Sequence, residues 1–92
     1  MESIDFNGRR TLSFLQLDRL NGVPKGTAFR HFRAIRHELE EGRDYFYLDA
    51  ATHGSFIAQL QQRGLAYPGT PHVVLITESG YRRMLGPESG ER

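Results

Sequence analysis

The sequence predicts a small α+β domain, a winged helix-turn-helix-like fold with a short β-sheet, and three stretches carry that prediction. Gly22 to Leu39, GVPKGTAFRHFRAIRHEL, reads as a sharp turn followed by an amphipathic helix, because Ala28, Phe32, Ile35 and Leu39 recur at steps that put them on one buried stripe. Asp44 to Asp49, DYFYLD, alternates Tyr45 and Tyr47 against Phe46 and Leu48, as a strand with one face more buried does. His72 to Thr77, HVVLIT, is an unbroken apolar run suited to a strand covered on both faces. With 92 residues there is room for one domain, expected over residues 1–85, with 86–92 as a flexible tail.

From the start of the chain, Ile4 to Phe6 and Arg9 to Leu12 flank Asn7-Gly8, the favoured two-residue turn of a β-hairpin. Ser13 and Gln16 have capping-box spacing and Leu12 can staple onto Leu17, so a first helix is expected to start at Phe14 and end near Asn21. Gly22 then supplies the left-handed backbone of a turn, Val23 tucks beneath it, and Pro24 suits the opening of the next helix, where its missing N–H needs no partner. That second helix is expected to begin near Lys25 and to run to Leu39, with Gly42 as the terminating cap. Ala50 to Gly54 reads as a connection or weak first turn, after which Ser55 is expected to cap a helix that carries Phe56, Ile57 and Leu60 and ends at Gly64. Gln59, Gln61 and Gln62 are expected to be solvated. Leu65 to Pro71, with its Pro68-Gly69, is a loop or hairpin tip. Thr77 caps a last helix from Glu78 to Leu85, whose Tyr81, Met84 and Leu85 are available to dock.

A 38% hydrophobic content with 25% charged residues fits a globular domain with a small core. The absence of cysteine excludes disulfides and thiolate metal sites, and with no signal peptide or membrane-length apolar run a cytoplasmic location is expected. Net charge is only +1, but its distribution is lopsided: residues 1–37 hold seven Lys or Arg against three acids, whereas residues 38–92 hold five against eight. Lys25, Arg30, Arg33 and Arg36 bring four cations to the second helix with no acid among them, which suits a surface that meets phosphate. All but one of the twelve basic residues are Arg, which can grip phosphate or guanine through two N–H groups at once. Arg9 and Arg10, just before the first helix, can clamp a flanking phosphate. A merely solvated basic face is the alternative.

Gly22 to Arg30, Gly-Val-Pro-Lys-Gly-Thr-Ala-Phe-Arg, resembles the Gly-Val-Ser-x-x-Thr-Val-x-Arg turn of bacterial and phage helix-turn-helix repressors. Asp18 departs from that pattern, standing where those repressors usually place a small Ala for close helix contact. Gly42-Arg43-Asp44-Tyr45-Phe46 and Val73-Val74-Leu75-Ile76-Thr77-Glu78-Ser79-Gly80-Tyr81 resemble the amino-terminal domains of phage antirepressors and regulatory proteins of the KilA-N, BRO-N and Rha type. The first half is also similar to MerR-like and excisionase winged-helix proteins. The resemblance implies a DNA-binding or regulatory module of phage, prophage or bacterial origin.

Enzymatic chemistry finds no support in the sequence. His31, His37, His53 and His72 lack the spacing of a helical zinc pair, Ser13, Ser55 and Ser79 lack a nucleophile-elbow pattern, and no phosphate-loop motif is present. Neither a cofactor nor a metal is expected. The expected function is sequence-specific binding of double-stranded DNA in transcription regulation, by a helix that enters the major groove. Lys25, Thr27, Arg30 and His31 are expected nearest the bases or flanking phosphates, with Arg33 and Arg36 as backbone clamps. A homodimer reading two half-sites is expected. The rival expectation is a protein-interaction module, such as an antirepressor that masks a repressor.

Overall fold

The computed structural model describes residues 2–86. The chain runs β1 (Ile4–Phe6), β2 (Arg9–Ser13), α1 (Phe14–Leu20), α2 (Thr27–Ile35), a single 3₁₀ turn (Arg36–Glu38), β3 (Tyr45–Asp49), α3 (Ala50–Gln62), β4 (His72–Thr77) and α4 (Glu78–Leu85). From position 87 onward the expected tail lies outside the described residues.

The four strands form one antiparallel sheet in the order β1-β2-β4-β3. Asn7 and Gly8 both take positive φ, 51° and 75°, as a tight hairpin turn of right-twisted strands requires. β4 lies between β2 and β3, with Leu12 opposite Ile76 and Tyr47 opposite Val74. Its apolar run follows from that position. On one face α3 contributes Ile57 and Leu60 to a core with Phe46, Leu48, Val73 and Leu75; on the other, Leu17, Ala28, Phe32 and Met84 pack on Tyr45 and Ile76. The domain is therefore α+β, four helices on a four-stranded antiparallel sheet among the described residues.

Local chemistry explains the element ends. Ser13 caps α1 through the expected box with Gln16, and Thr77 caps α4 by accepting from the Gly80 N–H. α3 closes in a Schellman motif, with the Leu65 N–H on Leu60 O and the Gly64 N–H on Gln61 O.

Other boundaries correct the sequence reading. α2 begins at Thr27 and not near Lys25, because the Thr27 N–H closes a turn onto Pro24 O and Gly26 stands at φ 93°, outside helical space. It ends at Ile35 and tightens into the 3₁₀ turn, so Gly42 caps no helix; its N–H instead donates to Tyr45 O in the turn before β3. α3 begins at Ala50 under an Asp49 cap, not a Ser55 cap, and His53 (φ −126°, ψ 27°) breaks its first turn from the rest. Gln61 is not merely solvated, since its Nε2 donates to Tyr67 O and Thr70 O and holds the 63–71 loop. Leu85 is exposed rather than docked.

The junction of β3 and α4 is tight. A Cβ at Gly80 would stand 1.9 Å from Asp44 O, so only glycine lets α4 approach the chain there. Asp44 is fully buried and accepts from Ser79 Oγ (2.6 Å) and the Glu40 N–H (2.9 Å), with the guanidinium groups of Arg43 and Arg83 within 3.4 and 3.5 Å. Burial pushes its carboxyl pKa up, but the bonds from Ser79, Glu40 and Arg43 outweigh that and hold it below the ordinary value. The two motifs on which the phage-regulator resemblance rests thus meet here, as a structural tie.

Candidate nucleic-acid interface

The geometry of the site starts at Asp18, the residue that departs from the repressor pattern. Its side chain is buried at the corner between α1 and α2, where an unpartnered carboxylate would be costly. Three donors satisfy it: the Gly26 N–H (3.0 Å), the Ala28 N–H (2.8 Å) and the Tyr67 hydroxyl (2.6 Å). Gly26 has no side chain with which to cap α2, so α1 supplies the cap from outside. Burial raises the Tyr67 pKa, and the hydrogen bond to Asp18 and its charge raise it further, to about 12. Tyr67 therefore stays a donor at neutral pH.

With Asp18 occupying the amino end of α2, an anion arriving there meets side chains. Lys25 projects from the entry turn, its Nζ 5.1 Å from the centre of the Tyr67 ring. The Thr27 hydroxyl donates to Pro24 O. Arg30 folds back toward the helix start, its Nη2 3.4 Å from Thr27 Oγ1, as helical side chains lean. Lys25, Thr27 and Arg30 thus come together at the start of α2. At about 100° per residue Arg30 lies roughly opposite Phe32, with Phe29 and Arg33 on one flank and Thr27 and His31 on the other. Arg33 leans on Phe29, its guanidinium carbon 5.6 Å from the ring centre, and Arg36 stands exposed in the 3₁₀ turn.

Arg9 and Arg10 belong to the β1-β2 hairpin instead. Arg9 is half-buried and donates to Arg43 O, which gives it a structural partner; Arg10 is exposed. Behind α2 the predicted stripe holds for Ala28 and Phe32, which are buried, and Ile35; Leu39 packs against the same core but from extended backbone beyond the 3₁₀ turn, not from the helix. Phe32 meets the rings of Phe14 and Tyr45.

Charge pairing divides the chain between its two halves, and Arg9, Arg10 and Arg19 share the unpaired state of the α2 cations among the described residues. Among the described residues, Lys25, Arg30, Arg33 and Arg36 form no ion pair, whereas Arg43 meets Glu40, Arg63 meets Glu2, Arg82 meets Glu78 and Arg83 meets Asp44.

Sequence reasoning missed Phe29, which is 44% exposed on the outward side of α2. Its place between the stripe residues Ala28 and Phe32 was the available signal. It also missed Tyr67, because nothing in the order of residues ties the 63–71 loop to Asp18. No family model, curated protein or solved structure matches the chain. Among the described residues no helix is long and apolar enough to cross a membrane, and no group of His, Asp and Glu is placed to hold a metal ion.

Proposed function

We propose that this domain binds double-stranded DNA as a sequence-specific transcriptional regulator of the winged helix-turn-helix-like kind, with α2 as the helix that enters the major groove. The observation that carries this reading is the set of four unpaired cations around α2, held on a helix whose opposite face is locked into the core. Clustered like charges raise the local potential and attract a polyanion. Lys25 and Arg30 meet the bases or the nearest phosphates, Thr27 and His31 flank them, and Arg33 and Arg36 hold the backbone. The resemblance to repressors and to KilA-N, BRO-N and Rha domains supports the same reading. A homodimer on two half-sites fits the modest footprint of one such module.

Fluorescence anisotropy on a labelled duplex, titrated at several salt concentrations, tests this. If the four cations each neutralise one phosphate, log affinity falls against log salt with a slope of roughly −4. A flat response, or no binding at submillimolar protein, moves the assignment to the protein-partner reading, an antirepressor-like module that captures a repressor.

A further inference from the structure

Beside the entrance to α2 the sheet is left uncovered. A groove with a cavity volume of about 450 Å³ opens there, with Phe14 and Phe29 on the helical side and Tyr47 and Val74 on the sheet, and with Tyr67 and Lys25 also in its wall. That volume lies within the roughly 300–1,000 Å³ of small-molecule sites, which are mostly apolar with a few placed polar groups. Phe29 and Tyr47 are 44% and 43% exposed, so two aromatic residues of the wall, packed on Phe14 and His72 respectively, remain partly open to water.

The charge in the wall is one-sided. Lys25 contributes an ammonium, and among the described residues no Asp or Glu lines the groove. Asp18, bonded to Tyr67, has its oxygens taken by three donors and is itself buried. A neutral ligand would gain nothing from the exposed Lys25 ammonium, and a polyanion such as a nucleic acid strand would press charges onto apolar walls. A compact molecule with an apolar body and one negative end complements both features.

We propose that this groove binds a small amphipathic carboxylate, with its apolar or aromatic body among Phe14, Phe29 and Tyr47 and its carboxylate on Lys25 Nζ. Lys25 is also assigned to DNA above, so bound carboxylate lowers DNA affinity and DNA lowers carboxylate affinity by the same factor. That linkage rests on the DNA reading; the site itself does not.

Amide-shift NMR on the isotope-labelled protein without DNA, titrated with naphthalene-2-carboxylate and separately with the neutral 2-naphthylmethanol, tests the site. The expected result is saturable shifts at Phe14, Gly26, Phe29 and Val74, with the carboxylate binding about tenfold more tightly, as one charge-assisted hydrogen bond warrants. Lys25→Met brings the two ligands level, and Phe29→Ala weakens both while each variant keeps its melting transition. Equal affinities for the unaltered protein, shifts confined to other surfaces, or no saturation at millimolar ligand overturns the proposal. So does loss of the groove signals on concentrating the protein alone, which assigns the groove to a second copy. Because no DNA enters the titration, its failure leaves the DNA reading standing, and a flat salt response in the anisotropy leaves the groove standing.

Discussion

Among the described residues Lys25, Arg30, Arg33 and Arg36 gather around α2 with no carboxylate within ion-pair reach, while Arg43, Arg63, Arg82 and Arg83 each stand within reach of one. Exposed pairs such as Arg82 with Glu78 contribute little to stability, about 0–1 kcal/mol, but they cancel each other's field. The cations at α2 do neither: they repel one another and strengthen the field at one surface. Side chains of the same type thus acquire opposite roles from their neighbours, and an arrangement that stability alone does not favour is a reason to look for function there.

The largest expected effect tests whether the cationic face and the core stripe of α2 are separable. Phe32→Ala removes a buried ring that touches Phe14 and Tyr45 and is expected to cost about 3–5 kcal/mol in chemical denaturation. Arg33→Ala, on the outward side, should leave melting nearly unchanged. If Phe32→Ala keeps full stability, the division of α2 into a core face and a cationic face is wrong.

A smaller effect sharpens the contrast between paired and unpaired arginines. Arg30→Ala is expected to cost about 1–3 kcal/mol of affinity on a preferred duplex and little on random DNA, while Arg36→Ala weakens both alike. Arg82→Ala, which removes a paired cation, should change neither by more than about 0.5 kcal/mol. Equal losses for Arg30→Ala on both duplexes would leave it a phosphate clamp; an Arg82→Ala loss as large as that of Arg36→Ala would erase the distinction.

The smallest effects lie at the extremes of pH, where each region carries its own titrating group. The Asp44 carboxyl, beside Arg43 and Arg83, is held below its ordinary value of 3.8, so its contribution is present above that value and is lost as pH falls through the depressed one. Tyr67, bonded to Asp18 between α1 and α2, is raised from 10.0 to about 12, so its contribution is full below pH 10 and disappears as pH rises toward 12. Melting curves across pH should show Ser79→Ala losing part of the acid-side dependence and Tyr67→Phe losing part of the alkaline-side dependence. An exchange of those two responses would contradict the hydrogen bonding described for both sites.

Much of the fold was legible because the signals are local. Asn7-Gly8 sets the hairpin, the Ser13 and Gln16 pair sets the start of α1, and HVVLIT reads as the interior strand it is. The stripe of α2 was equally plain for Ala28, Phe32 and Ile35, which need only helical geometry, whereas Leu39 reaches the same core from extended backbone beyond the 3₁₀ turn. What the sequence hid is non-local or conformational. Pro24 looks like a helix opener, yet the left-handed Gly26 delays α2 to Thr27; Ser55 looks like a cap, yet Asp49 takes the role first. The cationic residues themselves were named from the sequence, but not that Arg30 folds back over Thr27 or that Arg9 is tied to Arg43. Those are side-chain placements that spacing does not encode.

Asp18 reaches eight and ten residues along the chain to Gly26 and Ala28, and Tyr67 reaches forty-nine residues back to Asp18. The tilt of α2 is therefore set in part from outside the two-helix unit, and residues 14–39 are not a transplantable cassette. Moved alone onto another scaffold, they would carry a buried acid without its phenol. Variation at the outward positions Arg30, His31 and Arg33 leaves that brace untouched, so the exposed face of α2 can change in place while the frame that holds the helix stays fixed.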